Sequence, residues 1–232
     1  MNYTSDQHTA ILLFARSAKE EALYKKLSYN VSDNILLLDS LKQYACSVAN
    51  HSELPLFHFC ETQQTGESFG ERLTNSMANV FGQGFNSVIV IGADCPDISV
   101  ADIRSAEEAL RAGQMVIGPD SRGGTFLFGL TAEMFKKQQL TKVSWQTSEL
   151  LDSLSSYAKH FQYEITYLDQ KFDLNEATDV LEYSGQSSVL RNLLRQLMHQ
   201  VDFLQVICLY QPYLIYLKTL SRRGPPVAGT TY

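Results

Sequence analysis

The sequence predicts an α/β domain: a mainly parallel sheet covered by helices on both faces. Two apolar runs carry the prediction, residues 10–15 (AILLFA) and 88–92 (VIVIG), each continuous in the way of a strand buried on both faces. Around them, strand-like and helix-like segments alternate along the first 180 residues, as βαβ crossovers require. Composition agrees. With 44% hydrophobic and 19% charged residues, the 232-residue chain is that of a globular protein, with room for one large domain or a domain plus an appendage. Disordered, collagen-like, coiled-coil and cysteine-rich secreted classes are excluded.

The elements follow in order. Residues 19–27 read as a helix, and residues 34–49 as a second, with Ile35, Leu38, Leu41 and Ala45 on one face. Residues 54–60 form a short strand. Phe69, Leu73, Met77 and Val80 give residues 67–81 a helical period. After VIVIG, Ser99 is a good N-cap with Asp102 three residues on, opening a helix to about Ala112. Residues 115–118 and 125–130 are strands around a glycine-containing turn. Residues 148–157 are helical, 163–168 a strand and 176–183 a helix. Past Gly185 the alternation stops: 189–204 and 206–220 look helical, with Pro212 interrupting the second, and 221–232 has tail composition. The chain therefore divides into a domain over residues 1–183 and a helical extension with a tail over 184–232.

A net charge of −6 with no basic stripe argues against binding the nucleic-acid backbone. Four scattered cysteines form no C-x-x-C pair, which excludes zinc ribbons and thioredoxin-like redox motifs. The five histidines have no mutual metal spacing. Residues 1–8 are polar and resemble no secretory signal, so the expected compartment is the cytoplasm, with free thiols. The most apolar stretch, residues 201–217, includes Asp202, Gln205, Gln211 and Pro212, which does not suit a membrane span of about 20 apolar residues. Apolar nearly all round from Val206 to Leu217, it predicts either packing on the domain's own sheet or a homodimer through the C-terminal helices; the dimer is favoured, because crossover helices already cover such a sheet.

In α/β sheets, ligands sit beyond the C-terminal strand ends. This directs attention to the chain after Ala15, after Gly92 and around residues 118–124. In Gly92-Ala93-Asp94-Cys95-Pro96-Asp97, two carboxylates three residues apart are placed to hold a hard divalent cation, or else merely to satisfy the amides of a turn. In Gly118-Pro119-Asp120-Ser121-Arg122-Gly123-Gly124, adjacent glycines allow backbone amides to approach a ligand closely, and Arg122 adds a phosphate-binding fork; a plain hairpin turn is the alternative. Trp145 reads as core or pocket wall, and Arg72 either binds phosphate or sits on a solvated face. Neither a P-loop, a G-x-G-x-x-G fingerprint in the right context, nor a G-x-S-x-G elbow occurs.

Several segments recur in a recognisable order. They are Phe14-Ala15-Arg16, Gln64-x-Gly66-x-x-Phe69-Gly70-Glu71-Arg72-Leu73, Ile91 to Asp97, Gly118-Pro119 followed by Gly123-Gly124-Thr125-Phe126, Trp145-Gln146-Thr147, and the stretch from Asp173 to Glu176. In this the chain resembles the bacterial GT-A-type glycosyltransferase family, related to the molybdenum-cofactor and 2-phospho-lactate guanylyltransferases, from about residue 10 to about residue 180. The resemblance implies a Rossmann-like nucleotide-diphospho-sugar transferase fold and a nucleotide or nucleotide-sugar substrate. It implies Mg²⁺ or Mn²⁺ held by Asp94 and Asp173, with Asp97 a catalytic helper to Asp94. Arg16, Lys25, Lys26, Gly70, Arg72, Arg122, Gly123 and Gly124 would meet nucleotide or acceptor.

The sequence also departs from that family. Where the family's first loop reads K-x-P-x-x-G-x-x-K-T-R-L, residues 16–27 lack the proline and glycine, place Tyr24 at the motif lysine, and bring Glu20 and Glu21 toward phosphate. The family's D-G-G-Y is Arg122-Gly123-Gly124-Thr125 here. Two functions thus remain in competition. One is a metal-dependent glycosyl- or nucleotidyltransferase. The other is a degenerate relative that keeps the fold and binds a ligand or partner without transfer chemistry.

Overall fold

The computed structural model describes residues 9–183. The elements are β1 (Thr9–Phe14), α1 (Ala18–Glu21), α2 (Val31–His51), β2 (Leu56–Phe59), α3 (Phe69–Gly82), β3 (Ser87–Ile91), α4 (Val100–Arg111), β4 (Met115–Pro119), β5 (Thr125–Thr131), α5 (Lys137–Leu140), α6 (Leu150–Phe161), β6 (Ile165–Tyr167) and α7 (Ala177–Glu182). Among the described residues the sheet has six strands in the order β2-β1-β3-β5-β4-β6. Five run parallel; β5 alone is reversed, slotted between β3 and β4 and antiparallel to both. The protein is therefore an α/β fold with a mostly parallel sheet.

Strand periodicity divides the core in two. Ala10 and Leu12 of β1, with Val88 and Val90 of β3, join Leu73 and Met77 of α3 and Leu154 of α6 on one face. Ile11, Leu13, Ile89 and Ile91 alternate to the other face and pack on Ala45 and Val48 of α2 and Ile103 and Ala106 of α4. Each fully buried side chain of this kind contributes about 1.5–3 kcal/mol, so β1 and β3 stabilise both layers at once. The helix starts are those the sequence marks. Ser99 and Asp102 cap α4 reciprocally, and Ser68 and Glu71 do the same for α3.

Two differences from the sequence-based reading bear on the site. The helix expected over residues 19–27 is only the single turn α1. The side chain of Asn34, buried in the first turn of α2, accepts the backbone N–H of Leu27 (2.7 Å) and Ser28 (3.2 Å) and donates to the Lys25 carbonyl (2.9 Å). Those bonds compete with helical ones and hold residues 25–28 open. In addition, the short α5, with no N-cap side chain, has no counterpart in the sequence reading. The helices expected over residues 189–204 and 206–220, and the dimer expected through them, lie outside the described residues. No helix among the described residues is long and apolar enough to cross a membrane.

Candidate active site

Because β5 is reversed, its first residues meet the C-terminal ends of β1, β3 and β4 at one edge of the sheet. A cleft of about 480 Å³ opens there, lined from Ala15-Arg16, Gly92 to Asp94, Asp120, Arg122 and Gly124, and Gln146-Thr147. One wall is aromatic. Trp145 packs against Phe69 and Phe128, with ring centroids 6.0 and 5.9 Å away, and donates its indole N–H to the Leu140 carbonyl (2.9 Å). Trp145 is thus pocket wall and core together.

The chain beyond β6 crosses this edge. Lys171 N–H donates to the Pro119 carbonyl (3.1 Å) and Leu174 N–H to the Asp94 carbonyl (3.0 Å), which lays residues 171–174 over the ends of β4 and β3. Asp94 emerges directly from β3 with its side chain 38% exposed, and its Oδ2 lies 2.7 Å from the ammonium of Lys25, itself only 10% exposed. Lys25 also donates to the Leu174 carbonyl (3.2 Å). Asp173 does not line the cleft, but its carboxyl is pushed up to about 8, first by burial and then by the charges of Asp94 and Asp120, with Lys25 opposing. Its Oδ1 is buried without a hydrogen-bond partner.

Asp120, at the end of β4, is buried and accepts the backbone N–H groups of Arg122 and Gly124 on Oδ1, both at 2.7 Å. Gly124 is needed for that closure: a Cβ there would stand 2.2 Å from Asp120 Oδ2. Gly123 has φ +87° and faces the Ser148 carbonyl, so it shapes the turn rather than the cleft.

Every basic side chain lining the cleft has a carboxylate partner. Arg16 pairs with Glu21 at 3.1 Å and lies over the Tyr24 ring; Lys42 lies 3.6 Å from Asp39. Arg122 is bound by Asp179 and lies 3.8 Å from Glu176, which ties it to the start of α7. Asp179 is buried and also accepts the N–H groups of Asn175 and Glu176. The loop carrying Arg16 is set by Glu61, whose carboxylate accepts both the N–H and the hydroxyl of Ser17 at 2.7 Å and is thereby held below the usual carboxylate range.

Of the residues singled out from the sequence, Arg16, Lys25, Asp94, Arg122 and Gly124 meet in the cleft. Asp97 accepts the Tyr183 hydroxyl and does not line it. Lys26 is exposed and bridges Glu176 through its backbone. Arg72 donates to the Glu67 carbonyl (2.9 Å) on the far part of the loop before α3. Gly70 is a packing residue, since a Cβ there would meet the Thr141 carbonyl at 2.4 Å. Sequence reasoning did not single out Asp120, Lys42 or Asn175, which also line the cleft. Asp120 stood in a highlighted turn, and its Asp-x-x-x-Gly spacing was the available signal. Asn175 lay inside the landmark at residues 173–176, and Lys42 carries no motif.

Residues 31–147 match a family described as "uncharacterized protein conserved in bacteria (DUF2064)". The chain belongs to this family. The match spans α2 through the aromatic wall and so includes Asp94, Asp120 and Trp145. No curated protein matches the chain. A solved structure assigned by name as a nucleotide-diphospho-sugar transferase from Desulfovibrio desulfuricans G20 is similar in fold to this DUF2064 member: TM-score 0.71, 19% identity, 82% of this chain and 95% of that one covered. Weaker likenesses include the manganese complex of Rv0371c from Mycobacterium tuberculosis H37Rv (TM-score 0.45, 12% identity, 76% and 97% covered). They also include a CMP:2-keto-3-deoxy-manno-octonic acid synthetase complexed with CTP (TM-score 0.45, 12% identity, 81% and 98% covered). At 19% identity the first of these likenesses establishes the fold alone. Among the described residues, no group of three or more His, Cys, Asp or Glu side chains is arranged to hold a metal ion.

Proposed function

We propose that the cleft binds a nucleotide or nucleotide-sugar and that the protein is a glycosyl- or nucleotidyltransferase of GT-A type. The observation that carries this reading is the meeting of Asp94, Lys25 and Arg16 with the Gly124 turn at the C-terminal edge of the sheet, beside an aromatic wall. Phosphates need positive charge; a base or sugar face needs a flat apolar surface. Both are present in one cavity large enough for a small ligand.

Arg16 and Lys25 would face the phosphates, and the Phe69–Trp145 wall would shield the bound group from water. The donor chemistry suits Mg²⁺ or Mn²⁺. Hard cations take carboxylate oxygens, and the buried, unpartnered Oδ1 of Asp173, whose proton is retained first by burial and then by the charges of Asp94 and Asp120, is the kind of group a divalent ion stabilises. Asp94 and Asp173 would hold it, and the ion would offset charge developing on the leaving diphosphate. Arg122 contributes by fixing the Asp179 end of the site more than by meeting phosphate. The reading goes with a cytoplasmic protein whose thiols stay reduced.

The test is calorimetry of nucleoside diphosphates, nucleoside triphosphates and nucleotide-sugars with Mn²⁺. Binding of at least one, lost in Asp94→Asn, is expected; no binding across the whole set would overturn the reading. A second reading, a degenerate relative that binds without transfer, is favoured by the pairing of all four cleft cations with carboxylates, which any phosphate must displace. Binding without release of nucleotide product over a broad acceptor set would select it.

A further inference from the structure

Lys25 occupies a distinctive place in the cleft. Its ammonium is wedged between Asp94 Oδ2 at 2.7 Å and the Leu174 carbonyl at 3.2 Å, and its charge acts on the neighbouring Asp173. Two carboxylates and a carbonyl are the oxygen donors a hard divalent cation would choose, and here an ammonium sits among them. The placement is built in. Asn34 holds the Lys25 carbonyl at 2.9 Å, and the Leu174 N–H holds the Asp94 backbone at 3.0 Å, so both ends of the contact are fixed by other elements. One oxygen is left over: Asp173 Oδ1 is buried without a partner.

We infer that Lys25 is a resident cation that competes with a divalent ion for Asp94, so that the ligand-free cleft resists metal and accepts it only once phosphate has drawn the ammonium away. The inference rests on the reading of the cleft as a nucleotide site with a divalent ion. Two positive charges cannot share one carboxylate oxygen at close range without repulsion, whereas a phosphate gives the flexible four-carbon stem of a lysine a second anion to move to. Nucleotide and metal then bind in a coupled way, each tightening the other by the same factor.

The experiment is a Mn²⁺ titration of the full-length protein, free Mn²⁺ being read by electron paramagnetic resonance, for wild type, Lys25→Met and Lys25→Arg. Lys25→Met keeps the stem and removes the charge. It is expected to bind Mn²⁺ at least about tenfold more tightly than wild type in the absence of nucleotide, while Lys25→Arg stays near wild type. Adding Asp94→Asn to Lys25→Met should abolish the gain. Equal or weaker Mn²⁺ binding by Lys25→Met overturns the inference. Should Lys25→Met fail to fold by circular dichroism, wild type alone decides: its Mn²⁺ affinity must rise at least about tenfold when a saturating nucleoside diphosphate is present, and an unchanged affinity overturns the inference. The underlying reading fails separately. If no nucleotide binds wild type with or without Mn²⁺ the site is not a nucleotide site, whereas nucleotide binding with no Mn²⁺ gain in Lys25→Met sinks the competition alone.

Discussion

Two acidic turns lie side by side at the edge of the sheet, and they have opposite roles. Asp94 follows β3 and Asp120 follows β4, each in a glycine- and proline-containing turn after a buried apolar strand. Asp120 turns inward, is buried, and spends Oδ1 on two backbone amides. Asp94 stays over a third exposed, faces the cleft and meets an ammonium. The amide-satisfying turn that any such motif could be is realised at Asp120, and the charge-presenting one at Asp94. The comparison teaches that an aspartate at a strand end becomes architecture when its own next residues curl back beneath it, as Gly124 allows. It becomes available for chemistry when its partners come from elsewhere in the chain.

The sharpest way to break this comparison is to spoil the architectural turn. Gly124→Ala forces a Cβ into the Asp120 carboxylate, and an overpacking cost of about 3 kcal/mol is expected in urea unfolding. A loss below about 0.5 kcal/mol would mean that the closure is not required. Asp120→Ala should follow, at about 2 kcal/mol, because two amides lose their acceptor. Asp120→Asn, which keeps an oxygen for them, should cost about half that.

Asp94→Asn should behave differently. It leaves Lys25 short of its charge partner, so about 1 kcal/mol of stability is expected to go, reduced by the exposure of Asp94. Its main effect should be on Mn²⁺-dependent nucleotide binding, weakened at least about tenfold, or about 1.4 kcal/mol. If Asp94→Asn binds as wild type does and Asp120→Asn does not, the roles assigned to the two turns are reversed.

The carboxyl between the turns gives a pH signature in metal-free protein. Asp173 titrates near 8 when folded and near the ordinary value of 3.8 when unfolded, so the folded state holds the extra proton between those values. Its contribution is fully present below about pH 4 and is lost as pH rises through about 8. Melting temperatures taken in chelator from pH 5 to 9 should therefore fall more steeply for wild type than for Asp173→Asn; parallel curves would remove the shift. The smallest effects belong to Lys26→Ala and Arg72→Ala, both outside the cleft, each expected within about 0.5 kcal/mol of wild type and with unchanged nucleotide affinity.

Much of the fold was legible because it is written locally. AILLFA and VIVIG are apolar at every position, so burial on both faces follows from the residues alone. Ser68 with Glu71 and Ser99 with Asp102 carry their helix starts within four residues. The helix over residues 19–27 was misread because its competitor, Asn34, acts from the next element. α5 was missed because four residues without a capping side chain leave no period to detect.

The sequence by itself determined the α/β class, the two central strands, the main caps and the edge of the sheet where a ligand would sit, because each depends on neighbours a few residues apart. Only the tertiary structure decided that β5 enters the sheet reversed, that Arg122 is bound to Asp179 while lining the cleft, and that Asp94 rather than Asp97 faces the cleft. It alone brought Lys25 to Asp94 and laid Leu174 against both. The physical reason is that charge and burial are set by the groups that surround a side chain. At this edge those groups come from residues 25, 94, 120 and 173, far apart in the chain and adjacent only after the sheet has formed.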